Sequence, residues 1–259
     1  AHQEMPELDR WALHRLWEMD GLVRKAIDDY DYHGLWTALH NFCSVDLSAF
    51  YFDIRKDRLY CEHPDSLARR ANRTVMAAIF DRLTTWLAPV LCYTAEEAWL
   101  ERYGDAPGRS VHRETFPETP GSWRDDDLAA RWADIRDIRR VVTGALEMER
   151  AEKRLRSGLD AAPVVWVTAD RKAQLADVDL AEIAIASEVA IREGAGPDGA
   201  FRLADVPGVA VEPKPTDAEK CDRCWRRLPD VGSVAAHPAL CGRCADVVER
   251  LPANSEAAE

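Results

Sequence analysis

Cys221-Asp-Arg-Cys224 and Cys241-Gly-Arg-Cys244 place two Cys-x-x-Cys pairs, separated by sixteen residues, in a chain of 259 residues. Each pair can aim two thiolates at one point, and together they fill the corners of a tetrahedron. A closed four-sulfur zinc site of this kind is structural, because no coordination position is left for water or substrate. The spacing therefore predicts one structural zinc ion, bound by Cys221, Cys224, Cys241 and Cys244, that holds a small surface rigid. Three other readings fit less well. Disulfides are disfavoured because no signal peptide is evident and Cys43, Cys61 and Cys92 sit alone in apolar helical stretches, as reduced thiols do. A redox site would want one such pair between a strand and a helix. A set of Cys221, Cys224, His237 and Cys241 would leave Cys244 idle.

The residues around the first pair suggest what is held. Trp225 directly follows the second cysteine, with Lys220, Arg223, Arg226 and Arg227 close by and Asp217, Glu219 and Asp222 opposing them. An indole framed by guanidinium groups suits unstacked bases and their phosphates, each stacked base contributing about 1–3 kcal/mol. The competing reading makes Trp225 the hydrophobic plug of the zinc fold. A second basic run, Arg136, Arg139, Arg140, Arg150, Lys153, Arg154 and Arg156, interleaves with Asp137, Glu149 and Glu152. It reads best as a solvated, salt-bridged helix face.

No catalytic constellation is present: the chain has no phosphate-cradling glycine loop, no Gly-x-Ser-x-Gly elbow and no His-Glu-x-x-His pair. His33 and His40 lie beside aromatic residues, where a hydrogen-bonded packing role is expected. The formal net charge of −12 argues against indiscriminate nucleic-acid binding but permits a local basic contact. No apolar run approaches membrane-spanning length.

The elements that must carry this site begin with helices. Leu8, Ala12, Leu16, Met19, Val23 and Ile27 line one helix face. Asp31 to Gly34 interrupts it, and Leu35, Leu39 and Phe42 open a further helical stretch that continues through Leu47 to Ile54. Leu67 to Val90 forms the longest stripe, closed near Pro89. Thr94-Ala-Glu-Glu97 reads as a capping box and Gly104 as a stop. Residues 105–122 form a loop. Leu128, Trp132, Ile135, Ile138, Val142 and Leu146 stripe a long helix expected to run on to Arg156 and stop at Gly158. Strands follow at Val164 to Thr168, Glu188 to Arg192 and Gly208 to Glu212, with a helical 170–185 and a hairpin or loop at 194–199. Pro213 and Pro215 predict a stiff linker. The expected organisation is a helical domain over 1–157, a small α/β subdomain over 158–213, a four-cysteine zinc-binding domain over 214–252, and a disordered tail over 253–259.

Three blocks resemble the helical anticodon-binding domain of bacterial isoleucyl-tRNA synthetases: Tyr30 to Trp36, Asn41 to Tyr60 and Leu87 to Trp99. Lys220 to Trp225, with His237-Pro and Cys241-Gly-Arg-Cys244, resembles the C-terminal zinc-binding domain of the same enzymes. The helical blocks fit other class I synthetases for aliphatic amino acids too; the zinc knuckle with its Trp points to isoleucine. The fold class implied is mainly α: a helical anticodon-binding bundle, then the small α/β piece and the zinc domain.

The resemblance further implies that the chain is the C-terminal, non-catalytic part of an isoleucine–tRNA ligase that recognises the anticodon stem-loop of tRNA(Ile). The family's His-Ile-Gly-His and Lys-Met-Ser-Lys-Ser types of nucleotide-binding motif have no counterpart here, so isoleucine activation and ATP belong to the catalytic part of the same synthetase. Trp225 would stack near the anticodon, with Arg223, Arg226 and Lys220 as nearby phosphate or base contacts. A cytoplasmic, monomeric protein without a membrane partner is expected. From a different class, the zinc knuckle is instead a protein-interaction module with Trp225 as its anchor; a third reading makes it a purely structural tail.

Overall fold

The computed structural model describes residues 2–251, so the tail expected at 253–259 lies outside the described residues. Two compact units form. One comprises the chain up to Leu59 together with Pro64–Leu128; the other comprises Tyr60–His63 together with the chain from Ala129 onward.

The first unit is helical. Helix α1 (Glu7–Asp28) buries the striped residues Leu8, Ala12, Leu16, Met19 and Val23, with Trp11 added. Asp31 does not simply interrupt the chain. Its side chain accepts the Gly34 N–H at 2.9 Å and starts α2 (Tyr32–Asn41) one residue later, which shortens the expected break. A π-helical segment, Phe42–Phe52, continues directly into α3 (Asp53–Cys61). The wider turn buries Phe42, Asp46, Leu47, Phe50 and Tyr51 together, a spacing that ordinary helical periodicity does not give. Helix α4 (Leu67–Leu87) is capped by Ser66 and closes two residues before Pro89. Helix α5 spans Cys92–Tyr103. Helix α1 packs against α2, the π segment and α4, and α4 packs against α5.

The capping box expected at Thr94 to Glu97 does not form, because α5 starts two residues earlier and Thr94 falls inside its first turn. Glu96 is used instead to hold the following loop, accepting from Ser110 Oγ at 3.0 Å and Val111 N at 2.8 Å. Gly104 ends the helix at φ +83°, as expected. His33 and His40 are exposed, correcting their expected packing role.

One polar network at the centre of this unit was not foreseen. The Tyr51 hydroxyl donates to Asp9 Oδ1 at 2.6 Å, Arg55 Nη2 to Asp9 Oδ2 at 2.8 Å, and Asn72 Nδ2 to Tyr51 Oη at 3.0 Å. All four residues are buried and come from α1, the π segment, α3 and α4. A buried charge pair tied in this way to a tyrosine and an asparagine fixes one arrangement of these helices.

In the second unit, α6 (Asp126–Ala151) supplies buried Trp132, Ile135, Ile138, Val142 and Leu146 from Ala129 on. The helix ends at Ala151 rather than reaching Gly158, because Lys153 turns left-handed at φ +60°. Strand β1 (Val164–Val167) lies between β2 (Ala190–Glu193) and β3 (Val209–Glu212). It pairs parallel with β2 and antiparallel with β3. Residues 194–199 are thus a connection between non-neighbouring strands and not a hairpin. The expected single helix over 170–185 splits into α7 (Ala169–Gln174) and α8 (Leu180–Ala184). Arg131 Nε and Arg139 Nε reach the carbonyls of Gln174 and Ile183 at 3.0 and 2.8 Å, tying α6 to this layer. The segment around Pro213 and Pro215 is itself paired: Ala162 N donates to Lys214 O at 2.8 Å and Thr216 N to Asp160 O at 2.9 Å. It is an edge of the fold and not a free linker. Helix α9 (Gly242–Arg250) closes the described chain.

Candidate metal centre

The first Cys-x-x-Cys folds as a tight hairpin. Trp225 N donates to Cys221 O at 2.9 Å, Cys221 N donates to Arg226 O at 2.9 Å, and Lys220 bridges Arg227. The second opens α9, with Cys241 at its N-cap and Cys244 one turn inside. The four sulfurs lie within 4.8 Å of one another and all four residues are buried. Cys224 Sγ and Cys241 Sγ are 3.9 Å apart. Four sulfurs at a zinc–sulfur distance of about 2.3 Å sit about 3.8 Å apart, so the set fits one zinc ion with little movement. Cys241 N also points at Cys221 Sγ at 3.4 Å, a donor of the kind that supports a thiolate. His237 is half-buried with its ring towards Glu249 at 3.8 Å and is not in the group, so the alternative ligand set gives way to Cys244.

A hydrogen bond with Cys244, together with burial, pushes the Cys224 thiol well up, and burial raises Cys241. A divalent ion reverses that preference and releases the protons on binding.

Trp225 stands at the lip of this cluster, 62% exposed, in the left-handed region at φ +66°. For a bulky residue that conformation costs about 1–2 kcal/mol. The metal-binding turn requires it, and the indole is turned outward as a result. Lys220 Nζ lies 5.5 Å from the ring centroid. The arginines face the protein. Arg223 donates from Nη1 to Cys61 O and from Nη2 to Tyr60 O at 3.3 Å, with Nη1 also 3.8 Å from Cys244 Sγ. Arg226 Nε donates to Ser187 O at 3.1 Å, and Arg227 pairs with Asp160 at 2.8 Å. The exposed group framing the indole is therefore the Lys220 ammonium, and Arg223 and Arg226 serve first to dock the hairpin.

Two residues central to this docking carried no signal in the sequence. Ser187, fully buried, donates from Oγ to Leu159 O at 2.5 Å and accepts from Arg227 N at 2.6 Å. Cys61, read as an isolated helical thiol, is buried in the same cluster as the four cysteines. Its sulfur donates to Arg223 O at 3.6 Å. Neither neighbours in sequence nor periodicity marks residues whose partners lie 28 and 40 positions away for Ser187 and 162 away for Cys61.

Within the second basic run three residues are salt-bridged, as expected, Arg140 to Asp205 at 2.7 Å, Arg150 to Glu147, and Arg154 to Glu149, whereas Arg139 donates to a backbone carbonyl.

Comparison with known proteins agrees with this geometry. The sequence model of the anticodon-binding domain of tRNA ligase matches residues 9–165. The chain belongs to that family. A second model, the zinc finger found in FPG and IleRS, matches residues 218–247, which contain all four clustered cysteines. The chain is 50% identical over 255 residues to the isoleucine–tRNA ligase of Brucella abortus, covering 98% of this chain and 26% of that protein. It is 50% identical over 254 residues to the corresponding ligase of Agrobacterium fabrum, with the same coverage. The ligase of Ruegeria pomeroyi is 51% identical over 242 residues, 93% of this chain and 25% of the relative. The chain thus spans about a quarter of the length of the curated relatives it matches. The resemblance to isoleucyl-tRNA synthetases read from the sequence is borne out, and zinc-finger match and sulfur geometry together support a structural zinc ion. Among the described residues, no helix is long and apolar enough to cross a membrane.

Proposed function

We propose that this chain recognises the anticodon stem-loop of tRNA(Ile) as a non-catalytic part of a cytoplasmic, monomeric isoleucine–tRNA ligase. Cys221, Cys224, Cys241 and Cys244 are its zinc ligands, and the metal supplies a fixed frame with no chemistry of its own. The observation that carries the reading is Trp225, an exposed indole held outward by the turn that binds the metal, with a lysine beside it. An unstacked base of the loop stacks on the indole while Lys220 meets a neighbouring phosphate, so that stacking captures the base and charge sets its position. Arg223 and Arg226 contribute mainly by holding the hairpin in place, with any RNA contact secondary. Isoleucine activation and ATP binding belong to the rest of such an enzyme.

The test is binding of an isoleucine tRNA, against one with an altered anticodon, to the full chain and to Trp225→Ala at several salt concentrations. Tight, salt-sensitive, anticodon-dependent binding that drops with the Trp225 variant is expected. Binding indifferent to the anticodon and to salt would overturn the reading in favour of a protein-docking module.

A further inference from the structure

The five buried cysteines of the second unit outnumber the four corners of a tetrahedron. Cys61, from the last turn of α3, sits in one cluster with Cys221, Cys224, Cys241 and Cys244. Its thiol is in hydrogen-bonding contact with Cys244. One guanidinium nitrogen, Nη1 of Arg223, reaches both the Cys61 carbonyl and, at 3.8 Å, the Cys244 sulfur. Arg243 Nη1, 3.4 Å from Glu62 Oε1, ties the next residue to α9. The two sulfurs are thus kept together by contacts on either side, although 183 positions separate them. Cys43 and Cys92 have no part in this group.

We propose that Cys61 is a resolving thiol that makes the zinc centre sensitive to hydroperoxides, through a Cys61–Cys244 disulfide. Cys244, deprotonated as a metal ligand, attacks one oxygen of hydrogen peroxide and breaks the O–O bond. It becomes a sulfenic acid, and the hydroxide that leaves takes up a proton as water. The Cys61 thiol then attacks the sulfenic sulfur, forming the S–S bond and expelling a second water that carries the Cys61 proton. Each sulfur gives up one electron, and the peroxide takes both. Three thiolates remain where four were, the metal is released, and the frame under Trp225 loosens. A thiol reductant and fresh zinc restore it.

The inference rests on the four cysteines being zinc ligands, and the zinc content of the reduced full chain decides that reading separately. The experiment follows zinc release from the zinc-loaded chain with a chelating dye under hydrogen peroxide, and maps the disulfides by peptide mass. The expected product is a Cys61–Cys244 link formed in step with metal release. Cys61→Ser, which keeps one zinc ion per chain before oxidation, releases it roughly tenfold more slowly because no neighbouring thiol resolves the sulfenic acid. Disulfides confined to the four ligand cysteines, or equal release rates in the two proteins, would overturn the proposal. So would loss of zinc from Cys61→Ser or Cys61→Ala before any oxidant is added, which would make Cys61 a structural necessity and not a spare thiol.

Discussion

Trp225 combines two properties that ordinarily exclude one another, a strained backbone and an exposed, weakly packed side chain. Strain retained without packing to offset it points to use of the side chain itself. Two substitutions separate the contributions. Trp225→Ala removes the ring, keeps the turn and is expected to weaken tRNA binding by about 1–3 kcal/mol with melting temperature little changed, as read by titration and calorimetry. Trp225→Gly loses the same affinity yet unfolds with about 1 kcal/mol more stability, because glycine adopts positive φ without penalty. A large loss of stability in both would mean that the indole is a plug after all. At Asp160, the hydrogen bond from Arg227 holds the carboxyl below the usual carboxylate range. The pair's contribution is therefore present above that range and is lost as pH falls through the lowered pKa. Asp160→Asn is expected to flatten the acid limb of the stability profile, measured by denaturant titration from about pH 5 down to about pH 2, a window that reaches below the ordinary carboxylate value.

At the level of elements, what repeats at short range was readable and what is closed over long range was not. The stripes on α1, α4 and α6, the stop at Gly104 and the three strands all follow from neighbours a few residues apart. The zinc cluster was readable for the same reason, since each half of it is local. The π segment escaped because its buried residues follow no single period, and the Thr94 box failed because a local motif yielded to a helix that began earlier. The Asp9–Arg55–Tyr51–Asn72 network and the Ser187 hub are built from single polar residues that look like surface until the chain has folded. Asp9→Ala leaves Arg55 buried without this carboxylate and is expected to cost about 3–5 kcal/mol, seen as a lowered denaturation midpoint for the first unit. Ser187→Ala strands the Arg227 N–H and costs about 1–3 kcal/mol, read as faster hydrogen exchange through the hairpin around Cys221 while α1 and α4 keep their protection.

The whole molecule carries a formal charge of −12, so the proposed RNA contact relies on the local pairing of the Trp225 indole with the Lys220 ammonium and not on long-range attraction. Stripping the metal with a chelator is expected to abolish tRNA binding while most of the helical circular dichroism survives, because the first unit contains none of the four clustered cysteines. Wholesale loss of helicity on chelation would show that the metal supports far more than its own neighbourhood.

The membership of Tyr60–His63 in the second unit has a consequence for how the polypeptide is made. This unit is discontinuous: a short stretch emitted early from the ribosome is completed only by arginines synthesised about 160 to 180 residues later. At a translation speed of about 5–20 residues per second, that stretch waits some ten to forty seconds for its partners. A genetic split that expresses the chain from Ala129 onward by itself would leave Arg223 and Arg243 reaching for carbonyl and carboxylate groups that are no longer there.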